Sequence, residues 1–203
     1  MSEITDIARG TDILEEKDGK LELKHPDAES QVAKRLQEIY QKNPEYGLFL
    51  IENGYFFLGI EEPKNDIKKL IGEKIPDKDN YCFSTSLKAT KQVNRLEYVE
   101  GWGDDGSGVL RHAFCFDSEN ESVIDLSVWN HSMLDEYNEK EKQSYYRGFN
   151  YFGVIIPEED LDRNNLKNNQ LEKFAEKNGV EDTSETLELM REDGKFEGKT
   201  LNH

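Results

Sequence analysis

Apolar positions take up helical spacing after residue 27: Val32, Leu36, Ile39 and Tyr40 share one face, and Asn43-Pro44 ends the run. The next stretch, Gly47-Leu-Phe-Leu-Ile-Glu-Asn-Gly-Tyr-Phe-Phe-Leu-Gly-Ile60, holds two apolar runs around Asn53-Gly54. That pattern predicts a buried β-hairpin. Residues 63–72 read as a short helix carrying Ile67, Leu70 and Ile71. A polar loop over 73–81 leads to a helix over 82–93, with Phe83, Leu87 and Val93 on its apolar side. A strand follows through Leu96, Tyr98 and Val99. Then comes a glycine-rich turn, Gly101-Trp-Gly-Asp-Asp-Gly-Ser-Gly108, and two strands near 109–116 and 121–126. Residues 130–150 are polar and aromatic, with Tyr145, Tyr146 and Phe149 near their end. Tyr151-Phe-Gly-Val-Ile-Ile-Pro157 is a last strand, stopped by the proline.

Beyond it Leu161, Leu166, Leu171 and Phe174 suggest amphipathic helices in a charged context. Residues 1–26 are polar with little period. The expected organisation is a loose leader over 1–26, an α+β domain over 27–157, and a charged helical C-terminal extension over 158–203. In that α+β domain an N-terminal helix packs on an antiparallel sheet. No internal repeat interrupts the pattern.

A chain of 203 residues suits one domain, and 35% hydrophobic residues suffice for one core. Charged residues make up 34%, with a formal net charge of −17. Such a surface repels phosphate, which argues against nucleic acid and against an anionic membrane as partner. A carboxylate-rich surface also suits high salt, a reading that the many lysines weaken. No stretch is apolar and long enough to span a bilayer. Met-Ser-Glu-Ile-Thr-Asp-Ile at the start lacks the basic and apolar regions of a signal peptide. Two cysteines, Cys82 and Cys115, allow no disulfide framework. A reducing cytoplasm is the expected compartment.

Chemistry enters with three residues in chain order. Cys82 opens a predicted helix, His112 opens a predicted strand, and Asp125 lies in the next one. A cysteine attacks as thiolate, and a helix N-terminus beside an imidazole favours that form. If Asp117-Ser-Glu-Asn120 is a four-residue turn, Phe116 pairs with Glu121, Phe114 with Val123 and His112 with Asp125. A carboxylate so placed would hold one imidazole N–H. Cys115 then points to the opposite face, as packing. Each of the three also has an ordinary reading as packing or turn residue. A metal site from Cys82, His112, Asp125 and Cys115 or His131 would match no closed zinc spacing, so no metal or other cofactor is expected. Gly101, Gly103, Gly106 and Gly108 follow a strand, but no helix follows them and Asp104-Asp105 would repel phosphate, so they read as a mobile turn.

The string Cys82…Leu96-Glu-Tyr-Val-Glu-Gly101…His112-Ala-Phe…Val123-Ile-Asp-Leu-Ser…Trp129…Tyr151-Phe-Gly-Val resembles the transglutaminase-like branch of the papain-like cysteine fold. It looks closest to small uncharacterised bacterial, archaeal and viral proteins of that type. His-Ala-Phe stands where the branch has His-Ala-Trp, and Asp-Leu-Ser where it has Asp-Pro-Thr. The resemblance implies Cys82 as nucleophile, His112 as base and acid, and Asp125 as orienting carboxylate. The implied reaction is acyl transfer on a peptide or amide. The backbone N–H of Cys82 is one candidate oxyanion donor, and the side chain of Asn80 or a side chain from the hairpin around Asn53-Gly54 is a second. Trp102 and Trp129 would line a cleft or seal the core. The alternative is a papain-like scaffold without activity, binding a protein partner.

Overall fold

The computed structural model describes residues 7–25, 29–58, 67, 69, 82–104, 106, 108–129, 150–164 and 169–190. Their elements run β1 (Ile7–Arg9), α1 (Gly10–Ile13), β2 (Leu14–Lys17), β3 (Lys20–Leu23), α2 (Gln31–Lys42), α3 (Pro44–Asn53), β4 (Gly54–Leu58) and α4 (Cys82–Gln92). Then come β5 (Leu96–Asp104), β6 (Val109–Asp117), β7 (Ser122–Ile124), α5 (Leu126–Trp129), β8 (Asn150–Ile156), a 3-10 turn (Glu158–Asp160), α6 (Gln170–Lys177) and α7 (Thr183–Met190). The architecture is mixed α and β. Six strands form one sheet in the order β1-β4-β8-β5-β6-β7, with every neighbouring pair antiparallel.

Strand β5 is the spine, paired along its length with β6 on one side and β8 on the other. Gly101 and Gly103 belong to this strand, not to a turn. A Cβ at Gly101 would lie 2.1 Å from the Phe152 carbonyl oxygen, so the close approach of β5 and β8 requires glycine there. The turn is confined to the residues after Asp104, where Gly106 and Gly108 have φ of 86° and 146°.

Alternation divides the sheet into two faces. Tyr98 and Trp102 of β5, Ala113 of β6 and Phe152, Val154 and Ile156 of β8 pack with Leu36, Ile39 and Leu50 of α2 and α3. The opposite face carries Phe57, Val99, Phe114, Val123 and Tyr151. There Phe57 and Phe114 meet edge to face, centroids 5.4 Å apart at 85°.

Helix α2 buries the expected Val32, Leu36, Ile39 and Tyr40, and Ser30 caps it by accepting from Ala33 N–H at 3.1 Å. The expected hairpin around Asn53-Gly54 is not formed: its first arm is helix α3. Asn43 caps that helix and Pro44 takes its first turn, so the dipeptide that stops one helix starts the next. Gly47 lets α3 cross α2, since a Cβ there would lie 2.6 Å from Tyr40 Cα. Residues 7–23, expected as loose leader, form β1 against β4 and the β2–β3 hairpin. Of the helix expected over 63–72 only Ile67 and Lys69 are described, and Ile67 is buried with Ala89, Val93 and Leu126. The loop over 73–81 and the segment over 130–149 lie outside the described residues.

The C-terminal helices belong to the core as well. Leu171 and Ala175 of α6 are fully buried beside the sheet. The helix is tied by charge too: Arg111 Nη2 donates to Glu100 at 2.6 Å and to Glu172 at 2.7 Å. Glu100 also accepts from Tyr98 O–H at 3.0 Å and from the Gln170 N–H at 3.1 Å, at the positive end of α6. The Arg111 guanidinium stacks over Trp102, 4.7 Å from the ring centroid. One buried cation is thus shared by two buried carboxylates. Arg111→Met would leave both without it and is expected to cost about 3–5 kcal/mol in urea denaturation. Loss within the range of a surface substitution would mean that the network adds nothing to stability.

Candidate active site

Cys82 is the first residue of α4, half-buried at its N-terminus. Small polar residues on this helix let it lie close to the sheet: Ser84, Thr85, Ser86 and Thr90 are all buried. Ser86 Oγ donates to the Ala113 carbonyl at 3.2 Å, and Cys115 Sγ donates to the Ser86 carbonyl at 3.7 Å. The helix is therefore docked on β6 next to His112, with Cys82 one turn before the contact. Cys115 is completely buried, and burial pushes its thiol up to about 12. It cannot serve as a thiolate near neutral pH.

His112 sits on β6 opposite Gly101, which has no side chain to compete for the space. Beyond Cys115, no described strand pairs with the outer edge of β6. The imidazole Nε2 lies 2.7 Å from Asp125 Oδ2. That leaves Nδ1 as the second ring nitrogen, and Cys82 is among the groups that act on the ionisation of the ring. Burial disfavours the imidazolium, but the charges of Asp125 and Cys82 and their hydrogen bonds outweigh it and hold its pKa well above the ordinary value.

The β6–β7 register differs from the expected one. Phe116 pairs with Val123, Cys115 with Ile124 and Asp117 with Ser122. The turn is Ser118–Glu121, one residue later, because Asp117 remains in the strand. Its carboxylate takes Arg95 at 3.0 Å, Asn120 at 2.7 Å and the Glu119 N–H at 3.2 Å, and Glu121 turns back with φ of 51°. The partner of Phe116 thus moves by two positions, from Glu121 to Val123. An even shift preserves which face each side chain takes. Asp125 lies past the end of β7, at the start of α5. Its Oδ1 accepts from Ser127 N–H at 2.9 Å and Ser127 Oγ at 2.6 Å, an N-cap arrangement. Its Oδ2 accepts a further bond from Tyr151 O–H at 2.8 Å. Burial opposes ionisation of Asp125, yet His112 and these donors bring its pKa down to about 2.

The other site expectations fare differently. Trp102 is fully buried on the helix-covered face, within the core. Trp129 ends α5, but its side chain, like Asn80 and His131, lies outside the described residues. A surface cleft of about 440 Å³ is lined by Lys34, Arg35, Glu38 and Asp104 and touches none of Cys82, His112 and Asp125. Its charges are balanced, so it favours neither sign of ligand. Among the described residues no group of three His, Cys, Asp or Glu is arranged around a metal position, and no helix is long and apolar enough to cross a membrane.

Two residues of the site went unnoticed in the sequence. Ser127 had a signal: Asp-x-Ser before an apolar run is a helix start. Tyr151 had none, because its reach to Asp125 depends on strands far apart in the chain. Neither the family models, the curated proteins nor the solved structures compared with the chain show a match. The resemblance to transglutaminase-like proteins therefore rests on the quoted motifs alone.

The His112–Asp125 contact links stability to pH. Asp125 is depressed from 3.8 to about 2, so its stabilisation is present above pH 3.8 and lost as pH falls toward 2. His112 is raised above 6.5, so its contribution is full below that pH and lost as pH rises through the folded value. The two shifts share the His112–Asp125 contact, worth on the order of 2 kcal/mol, with Ser127 and Tyr151 adding to the first and Cys82 to the second. Denaturation of Asp125→Asn should show that loss near pH 5, with the acid limb flattened and the His112 limb reduced. Limbs that keep their native shape would show that the pair is not the linked group.

Proposed function

We propose that this protein is a cysteine-dependent acyl-transfer enzyme on a papain-like scaffold, acting on a peptide or amide as hydrolase or as transglutaminase-like transferase. The observation that carries the reading is the His112 imidazole, bonded through Nε2 to a buried carboxylate at 2.7 Å, with its ionisation coupled to a helix-opening thiol. This is the arrangement an activated nucleophile needs.

Cys82 would attack the substrate carbonyl as thiolate, forming the C–S bond and a tetrahedral oxyanion. The backbone N–H of Cys82 at the start of α4 is one donor for that oxygen, and Asn80 is the second candidate. Collapse breaks the bond to the leaving amine, which takes its proton from His112. Water or a second amine then attacks the thioester, giving its proton to His112 and freeing the thiol. Asp125 keeps Nε2 protonated throughout, so Nδ1 does the proton transfer.

A second reading is a papain-like scaffold that binds a protein partner without turnover. The depth of the site favours it: Cys82 is half-buried and the His112 side chain is 17% exposed. Alkylation by iodoacetamide decides between the two. For the enzyme, Cys82 reacts about tenfold or more faster than a free thiol near neutral pH, and His112→Ala slows it by a similar factor. Cys115 stays unlabelled. A Cys82 no faster than a free thiol rejects the enzyme and leaves the binding protein.

A further inference from the structure

Asp125 is held by more than the imidazole. His112 Nε2 and Tyr151 O–H share one carboxylate oxygen at 2.7 and 2.8 Å, while Ser127 holds the other. Tyr151 comes from β8, with β5 between it and β6. Its ring is 2% exposed and packs 4.9 Å from the Phe114 centroid and 5.9 Å from that of His112. It lies over Gly103, where a Cβ would come within 3.1 Å of the ring. The phenol has no freedom to swing away.

We propose that Tyr151 is a positioning residue of this site: its phenol fixes the Asp125 carboxylate on the imidazole side and takes up part of the charge of the oxygen that His112 uses. The proposal rests on the reading of Cys82 as nucleophile. Two donors on one oxygen compete, and density given to Tyr151 makes Oδ2 a weaker acceptor for the imidazolium. A buried carboxylate shared with nothing else would hold the His112 proton too tightly for its return to a leaving group. Among the described residues, the titratable groups facing Asp125 are His112 from β6, Tyr151 from β8, Cys82 from α4 through the imidazole, and Cys115, whose thiol is raised in part by the Asp125 charge.

The test is the titration of the His112 ring by NMR in the whole protein. In Tyr151→Phe, which keeps the ring and loses the hydroxyl, the His112 step should move up by about half to one pH unit. Ser127→Ala removes a donor from the other oxygen and should move it less. Gly103→Ala keeps the hydroxyl but presses the ring aside by a few tenths of an ångström, and should shift His112 in the same direction as Tyr151→Phe by a smaller amount. A folded Tyr151→Phe with an unmoved His112 step overturns the proposal. If that variant does not fold, an unmoved step in Gly103→Ala overturns it equally. Failure of the enzyme reading is seen separately, as slow alkylation of Cys82 in the native protein.

Discussion

Adjacent residues of a strand point to opposite sides of its sheet, and β6 places Arg111 and His112 next to each other. Arg111 faces the helices and pairs with both Glu100 and Glu172 in the interior. His112 faces the other way and meets Asp125. The strand that anchors the C-terminal helix is thus the strand that carries the imidazole. Its position is set by β5, which cannot drift because Gly101 brings it against β8 too closely for any side chain.

The candidate site depends on rigid neighbours more than on its own three residues. Asp125 is the cap of a short helix as well as the partner of His112, so one carboxylate oxygen is oriented by local structure and the other by the sheet. Burial would neutralise such a carboxylate if it had no donors. With four among the described residues it stays ionised. Cys82 gains its place differently, from a helix whose buried serines and threonines permit close docking on β6. The two halves of the site are held by unrelated contacts and converge on one imidazole.

Much was legible in the chain because it depends on neighbours along it. Period and caps located α2, α4 and the strands from Leu96 to Ile156. The burial of Cys115 followed from alternation, whereas the expected direct pairing of His112 with Asp125 gave way to a register two residues on. Asn53-Gly54 misled because the same dipeptide suits a hairpin turn and a helix end, and only the packing of α3 on α2 decides. The polar leader and tail misled because a low apolar count says nothing about β1 joining an existing edge, or about α6 covering Glu100 and Arg111.

Local pattern, then, marked α2, α4 and the strands from Leu96 onward, which residues of those strands share a face, and that Cys115 is packing. Tertiary structure decided what those faces meet. The β6–β7 turn settled one residue later than its composition implied, because Asp117 found Arg95 and Asn120. Tyr151 reached Asp125 across two strands. Such contacts join residues far apart in the chain, and their energy exists only once the sheet has brought them together.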